Sequence, residues 1–484
     1  MPLFGKPREI AIWVNMFVNR QAELAHLDGA LANIRRGSAQ LIMLYGRRRV
    51  GKTTLLRHWA ENSDTASIYW AADKEPPALQ RRSFTAVATQ LPESYAPQFD
   101  NWDALWEWFA AQLVEAGGPQ IVILDELSYA SEADYSIITA IQRSWEAYLQ
   151  HSQVLLVLSG SHVKTMEALA TDSPLTDSLD LKMQLQPFRY AEMRTFFPTW
   201  RSAERILLYS IVGGIPAYLA WLDPNLTLDQ NLEQRIFTDG SMFIAEPQML
   251  LYDELRELNT YLSILRAIAN GQHTLTEISN ACLISRTNLT VYLARLLDMQ
   301  LIDRRLPVTI PDHLRTRSKR GRYHLTDAYF RFYFRFIVSQ QQAGYQMEAL
   351  LKRARQELDQ FASAGFERVV REWIAAQTDT SALPFVPSHV GSHWSRLTRV
   401  DVVAINWETK DILLTACHWE THAVPLQQVK QLLRKGSRVR PDLPDNGSDW
   451  SIHYALFSRT GLSPEAAQAF KRDNGIVIPL DQLH

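Results

Sequence analysis

Short apolar runs alternate with amphipathic segments along the first third of the chain. Because the runs show no apolar–polar alternation, they predict strands buried on both faces, at 41–45, 67–71, 121–125 and 154–160. Apolar residues recur at helical spacing between them and predict helices, at 24–34, 52–61, 101–115 and 136–149. Strands alternating with helices predict an α/β domain whose parallel sheet is covered on both faces.

The pattern changes after residue 187 and predicts three further domains. Residues 187–258 are helical, and residues 260–300 contain three short helical segments that are followed by a strand, a basic loop and a strand. That succession is typical of a winged helix. The tail predicts a linker helix and a second α/β unit, with strands at 399–407, 411–419 and 451–459. We therefore predict four domains, at 1–186, 187–258, 259–335 and 336–484.

Composition narrows the class of protein only moderately. The 484 residues are 46% hydrophobic and 21% charged, which is ordinary for a globular chain, and the formal net charge is −2. That charge excludes a global attraction to nucleic acid, so any such surface must be local. Two cysteines exclude a disulfide framework, and no targeting or membrane-spanning segment is visible. We expect a cytoplasmic protein without membrane contact.

Residues 46–53 match the phosphate-binding pattern G-x-x-x-x-G-K-[ST] in full. The loop follows a predicted buried strand and precedes a predicted helix, which is the context that phosphate binding requires. Lys52 should meet the β- and γ-phosphates of ATP, and Thr53 should ligate Mg²⁺. The predicted nucleotide-binding residues are Gly46, Arg47, Arg48, Arg49, Val50, Gly51, Lys52, Thr53 and Thr54.

Two carboxylates follow the apolar run at 121–124. Asp125 and Glu126 would lie at the carboxyl end of a parallel strand, which faces the ligand crevice in such sheets. Asp125 is expected to hold Mg²⁺, and Glu126 to polarise the attacking water as a general base. Ser159, at the end of the next predicted strand, could sense the γ-phosphate, although a simple turn explains the Ser159–Gly160–Ser161 segment equally well.

A basic loop in the predicted wing is the candidate DNA contact. Its five cations fall within eight residues and are Arg315, Arg317, Lys319, Arg320 and Arg322. A solvated charged loop is the alternative, since the predicted recognition helix carries few cations. Histidines 273, 389, 393, 418 and 422 do not form a metal set by their spacing.

These motifs, in this order, resemble a prokaryotic P-loop ATPase family known as the archaeal ATPases, which is allied to AAA-like and STAND NTPases. The resemblance rests on the segments FVNRQAEL (17–24), YGRRRVGKTT (45–54), VILDEL (122–127), LSGSHVKTM (158–166), SPL (173–175), GGIPAYL (213–219) and RYHLTDAYFRFYFRF (322–336). It implies that the first segment lies near the adenine and that the tail resembles a restriction endonuclease.

The chain departs from the family pattern at two places. Thr176-Asp177-Ser178-Leu179 replaces the usual Tyr-Gly-Arg-Arg after the SPL segment, so hydrolysis is expected to be slow or to need an arginine from elsewhere. In the tail, Glu367 and Asp401 could supply carboxylates, but Ala416 stands where a glutamate is expected and His418 where a lysine is expected. We therefore expect no nuclease activity.

The sequence thus favours an ATPase whose nucleotide state controls a winged helix and a nuclease-like tail that contacts double-stranded DNA. The alternative is a nucleotide-controlled switch in which the same modules dock a protein partner or a second copy of the chain. An ATP-dependent nuclease is the least favoured class. The expected cofactors are ATP and Mg²⁺.

Overall fold

The computed structural model describes residues 17–255, 257–338 and 347–483, with the side chains of residues 253 and 254 excepted. The outer ends of the first and last predicted domains, and part of the predicted linker helix, lie outside these ranges. The described chain divides into two compact units. The first runs to Pro187 and includes Asp298–Gln300, and the second contains Phe188–Leu297 and the residues from Leu301 onward.

The first unit is a three-layer α/β structure. Its elements are α1 (Gln21–Arg35), β1 (Gln40–Tyr45), α2 (Lys52–Glu61), β2 (Ala66–Ala71), α3 (Pro77–Thr89), α4 (Trp102–Ala116), β3 (Gln120–Asp125), α5 (Leu127–Ala133), α6 (Ser136–Ala147), β4 (Val154–Gly160), α7 (Val163–Thr171) and β5 (Leu181–Gln184). The strands form one parallel sheet in the order β2-β3-β4-β1-β5. The predicted α/β fold is confirmed.

Successive residues of the central strands enter different apolar clusters, one on each face of the sheet. Leu41 and Met43 pack with α4 and α6, whereas Ile42 and Leu44 pack with α1 and α2. Burial on both faces explains why these strands have no polar positions in their middles. The aromatic stripe of α4, including Trp102 and Trp106, is core.

The second unit begins with helices and a small hairpin. Its first elements are α8 (Met193–Phe196), α9 (Ser202–Val212), α10 (Pro216–Ala220), α11 (Leu228–Asn231), α12 (Met242–Glu254), α13 (Leu258–Ala269), α14 (Leu275–Cys282), α15 (Arg286–Asp298), β6 (Ile302–Arg305), α16 (Asp312–Arg315) and β7 (Arg322–Leu325). Strands β6 and β7 pair antiparallel. Three helices therefore precede a two-stranded hairpin, as the sequence predicted.

The second unit ends in a five-stranded mixed sheet. The elements are α17 (Ala328–Phe332), α18 (Met347–Ala375), β8 (His389–Trp394), β9 (Arg399–Asn406), β10 (Asp411–His418), α19 (Leu426–Val439), β11 (Ser451–Ser458), α20 (Pro464–Arg472) and β12 (Ile476–Pro479). The strand order is β12-β11-β10-β9-β8, with β10, β11 and β12 parallel and the other pairs antiparallel. Within the described ranges, no helix has both the length and the apolar character that crossing a membrane demands.

The sequence predicted one outer strand of the two large sheets, β2, and missed the other three. β5, β8 and β12 each lie at a sheet edge, and β5 and β12 are only four residues long. Edge strands are covered less completely than central ones, so their residues lack the apolar runs that identified the inner strands. The helix α3, with three buried residues in thirteen, was missed for the same reason.

Candidate nucleotide site

The predicted motifs of the first unit meet at the carboxyl edge of its sheet. The loop at 46–51 leaves β1, Asp125 ends β3, and Ser159 lies near the end of β4. Because β3, β4 and β1 are consecutive in the sheet, their carboxyl ends converge. The fold therefore collects residues that are up to about a hundred positions apart.

The loop at 46–51 depends on its two glycines. A Cβ atom on Gly46 would lie 2.4 Å from the carbonyl oxygen of Leu185, and Gly51 has a φ of 95° directly before α2. A side chain at Gly46 would collide with Leu185, and a side chain at Gly51 would strain the backbone. The first N–H groups of a helix have no acceptor within the helix, so the start of α2 beside the loop suits an anion.

Lys52 lies within the curve of this loop. Its side chain is buried, and Nζ donates to the carbonyl oxygens of Gly46 at 2.9 Å and Arg47 at 3.3 Å. Burial lowers the pKa of Lys52, while the negative charges of Glu126 and Asp125 act in the opposite direction. These two bonds use two of the three ammonium donors, and the third is the one a phosphate oxygen would take.

Asp125 is the centre of a hydrogen-bonded group on the neighbouring strand. Its Oδ2 accepts from the hydroxyl of Thr53 at 2.6 Å and from that of Tyr69 at 2.5 Å. Burial acts to raise the pKa of Asp125, but the hydroxyl donors and the charge of Lys52 outweigh it, so the pKa lies below its ordinary value. Asp125 is therefore a carboxylate at neutral pH.

Thr53 and Asp125 suit a hard divalent cation. Two oxygen atoms, one of them anionic, lie 2.6 Å apart at the mouth of the loop, and Thr53 is exposed to solvent. Mg²⁺ prefers such oxygen ligands and keeps several waters. The donor set is the one that P-loop proteins use for their metal.

Glu126 takes an unusual backbone conformation directly after β3. Its φ is 52°, in the left-handed region, where non-glycine residues are uncommon and often functional. Its Oε2 accepts from the backbone N–H of Ser161 at 3.2 Å and also from the Ser161 hydroxyl. The carboxylate is therefore held by the residue that follows β4. Ser159 itself is fully buried beside Asp125.

Sequence reasoning missed three residues of this site. Besides Ser161 and Tyr69, Arg20 supports the loop, since its guanidinium donates to the carbonyl oxygens of Val50 at 3.2 Å and Gln186 at 2.8 Å. Arg20 lies in the FVNRQAEL segment, so the resemblance pointed to the segment without giving this role. Tyr69 carried no signal, because only the pairing of β2 with β3 brings it to Asp125.

The remaining predicted nucleotide-binding residues differ in their exposure. Arg47 and Arg48 are half-buried and Arg49 is exposed, with a φ of 68°. Arg48 donates to the hydroxyl of Tyr129 and lies 5.8 Å from its ring centre. Val50 is fully buried, and Thr54 is exposed on α2.

The five cations of the basic loop have different surroundings in the second unit. Arg320 pairs with Asp442 at 3.0 Å, and Arg322 lies 5.1 Å from the ring centre of Trp394. Arg315 lies 3.7 Å from Asp312. Arg317 and Lys319 are exposed. The loop therefore docks on the tail through part of its charge, and Arg317 and Lys319 remain accessible.

The predicted degenerate nuclease residues do not all come together. Glu367 on α18 faces Asp401 on β9, and burial followed by the charge of Asp401 raises the pKa of Glu367 to about 7. Ala416 instead packs in the apolar cluster under α19. The residue beside the acidic pair is Cys417, whose pKa is raised by burial and by both carboxylates.

The assignment of Ala416 and His418 to the positions of the nuclease glutamate and lysine stays a prediction, and Cys417 lies between them on β10. Successive residues of β10 face opposite sides of the sheet, so a shift of one position reverses the side chain. His418 contacts Glu420, with 3.4 Å between Nε2 and Oε2. His418, Glu420 and His422 place their ligand atoms within 4.8 Å of one another, a grouping that the spacing of the histidines along the chain did not indicate.

Comparison with known proteins agrees with the first unit's geometry. Residues 17–222 match a family described as an ATPase domain predominantly from Archaea. Residues 333–431 match a family of archaeal and bacterial proteins of unknown function. The archaeal ATPase model therefore covers the residues of the nucleotide site, and the second model covers part of the tail, so the chain is similar to both families over these residues.

Two proteins of Methanocaldococcus jannaschii are similar to this chain. The uncharacterized protein MJECL04 is 28% identical over 456 residues, which span 93% of this chain and 97% of the relative. The uncharacterized ATP-binding protein MJ0423 is 51% identical over 56 residues, 11% of this chain and 90% of the relative. Among solved structures, a Walker-type ATPase of Pyrococcus abyssi, PABY2304, is 18% identical with a TM-score of 0.47, covering 66% of this chain and 96% of its own.

Proposed function

We propose that the first unit binds ATP with Mg²⁺ and hydrolyses it. The observation that carries this proposal is the contact of Thr53 with Asp125 beside the buried ammonium of Lys52. Two oxygen ligands for Mg²⁺, from Thr53 and Asp125, therefore lie close to the ammonium group of Lys52. All three residues are beside the N-terminus of α2. The domain family supports the same activity.

Each residue has a distinct role in the proposed reaction. Lys52 binds the β- and γ-phosphates, and Thr53 and Asp125 hold Mg²⁺, which neutralises charge on the phosphates when bound. Glu126 accepts a proton from the attacking water, and Ser161 orients its carboxylate. Ser159, whose buried hydroxyl lies near Asp125, senses the γ-phosphate or positions the attacking water.

Slow basal turnover is part of the proposal. The 3₁₀ turn Thr176–Ser178 offers two hydroxyls and an acid where the family usually has arginine. An arginine that stabilises the transferring phosphoryl group is worth a large factor in rate. Without it, nucleotide binding is expected to be tight relative to hydrolysis, which suits a switch.

Lys52→Ala tests the binding site directly. Removing an ammonium that contacts phosphate should weaken Mg-ATP binding on the order of 100-fold, because charged hydrogen bonds are lost. Calorimetric titration measures the affinity, and Lys164→Ala, an exposed lysine of the same unit, is the matched control. Equal affinity of the Lys52 variant and the wild type would reject the proposal, provided both variants unfold at the same temperature without nucleotide.

We further propose that the nucleotide state controls the second unit, which contacts double-stranded DNA. The three helices α13 to α15 with the β6–β7 hairpin support a winged helix, and Arg317 and Lys319 are its exposed loop cations. Docking of a protein partner by the same modules is the alternative, because the pairing of Arg320 with Asp442 reduces the free charge.

The tail is proposed to be a restriction-endonuclease-like domain without nuclease activity. A mixed sheet between α18 and α19 supports that architecture. Ala416 supports inactivity, because it offers no ligand oxygen where a nuclease of this fold carries a glutamate. Asp401 is moreover paired with Arg399 at 2.8 Å.

A further inference from the structure

Three potential metal ligands meet where β10 ends in the tail. The Nε2 atoms of His418 and His422 lie 3.4 Å and 3.0 Å from the same oxygen, Oε2 of Glu420. The imidazole rings of the two histidines stand nearly perpendicular, with centroids 5.3 Å apart. Both nitrogens therefore point at one region of space beside a carboxylate.

His418 is the buried residue of the three. Its side chain is 6% exposed, and within the described part of the chain its Nε2 atom has no hydrogen-bond partner. A buried polar atom without a partner destabilises the fold, because it has lost its hydrogen bonds to water without replacement. A bound cation would satisfy this nitrogen, because neutral imidazole offers it a lone pair.

The turn that carries the other two ligands is held from the neighbouring strand. The Thr460 hydroxyl donates to the carbonyl oxygen of His422 at 2.7 Å, and the Arg459 backbone N–H donates to that of His418 at 3.1 Å. A bridge between Val424 and Leu462 closes the turn beyond them. The ligands are therefore positioned by long-range contacts before any ion arrives.

We propose that His418, Glu420 and His422 bind a Zn²⁺ ion. Two imidazoles and one carboxylate are a ligand set that zinc accepts, with bonds of about 2.0–2.2 Å. Tetrahedral bonds of that length place ligand atoms roughly 3.3 Å apart, which agrees with the two separations from Glu420. Glu420 and His422 are exposed, so the ion can enter from solvent and the fourth position is open to water. The site is independent of the nucleotide site and does not rest on the proposed function.

The test uses the full, untagged chain after treatment with a chelator. Zinc chloride is titrated calorimetrically without nucleotide and with excess Mg²⁺, and Co²⁺ is titrated in parallel to follow the visible absorption of a tetrahedral ion. We expect one Zn²⁺ per chain. His422→Ala and Glu420→Gln should each weaken binding by roughly 100-fold, because each removes one of three ligands.

His389→Ala is the matched control, since His389 is a partly exposed histidine of the same domain outside the cluster. It should bind zinc as the wild type does. The proposal is overturned if the wild type binds no zinc, if His422→Ala binds as tightly as the wild type, or if the control loses as much affinity as the cluster variants. Circular dichroism of each variant confirms that folding is intact.

Discussion

Asp125 in the first unit and Glu367 in the second are both acids in protein surroundings, yet they titrate in opposite directions. Asp125 is surrounded by hydroxyl donors and the Lys52 ammonium, and its pKa lies below the ordinary value. Glu367 faces Asp401, and its pKa is raised to about 7 although Arg371, Arg399 and Arg331 act to lower it. In both cases, burial disfavours the charged form of the carboxyl group.

The difference shows that donors aimed at the carboxylate decide whether a buried acid can serve a cation. Hydrogen bonds from Thr53 and Tyr69 stabilise the charged form of Asp125 directly. For Glu367, burial and a like charge come first among the causes, and the arginines do not outweigh them. The surroundings of Asp125 therefore favour its charged form, whereas those of Glu367 favour its protonated form.

Asp125→Asn should have the largest effect on this comparison. The amide keeps the shape but removes the anionic ligand, so Mg-dependent ATP hydrolysis should fall on the order of 1000-fold. A coupled assay of phosphate release against Mg²⁺ concentration measures it. Glu61→Gln, an exposed acid at the end of α2, should leave the rate unchanged. Full activity of Asp125→Asn would remove Asp125 from the metal site.

Glu126→Gln separates binding from chemistry within the first unit. Loss of the base should lower turnover by roughly 100-fold and leave ATP affinity intact, because the base acts on water and not on phosphate. Ser161→Ala should lower turnover by about tenfold, since it frees the carboxylate of Glu126. Single-turnover hydrolysis measures both, with Ser67→Ala as the control. Wild-type turnover in Glu126→Gln would assign the base elsewhere.

Glu367→Gln tests the other side of the comparison. A folded pKa near 7, above the ordinary value of about 4.3, means that the folded chain holds its proton more tightly than the unfolded chain. The stability of the wild type should therefore fall as pH rises from about 4.5 to 7. The Glu367→Gln variant should not show this pH-dependent loss. Between pH 4.5 and pH 7, its free energy of unfolding should therefore rise by about 2 kcal/mol relative to that of the wild type.

Urea unfolding at several pH values, followed by tail fluorescence, measures that difference. Asp401→Asn is a second test. It removes the like charge beside Glu367, so it should recover part of the unfolding free energy that the wild type loses as the pH rises. If wild type and Glu367→Gln differ equally at all pH values, the acid does not titrate in this range, and the contrast with Asp125 fails.

The smallest expected effect concerns the exposed cations of the second unit. If DNA is its ligand, Arg317→Ala with Lys319→Ala should make the salt dependence of DNA binding shallower by about two, roughly one per phosphate contact. Lys471→Ala with Arg472→Ala, on the exposed side of α20, is the matched control. Fluorescence anisotropy at several salt concentrations measures the slope. An unchanged slope would favour a protein partner.

The inner architecture could be predicted because its signals are local. The central strands β1, β3 and β4 and the helices beside them have apolar patterns that a few consecutive residues reveal, and the loop at 46–53 carries its chemistry in its own spacing. The edge strands β5, β8 and β12 were missed because partial exposure removes their apolar signal. Ser161 was named only as part of a turn, since nothing local shows that its hydroxyl meets Glu126.

The sequence by itself determined the α/β class, the phosphate-binding loop and the acidic pair at 125–126, because each depends on residues close together in the chain. Only the tertiary structure decided which side chains share a site across distant segments. The pairing of β2 with β3 brings Tyr69 to Asp125, and the packing of α18 against β10 brings Glu367 near Cys417. The turn after β10, held by Thr460, brings His418 and His422 together. Such contacts arise from strand pairing and packing between remote residues, which spacing along the chain does not encode.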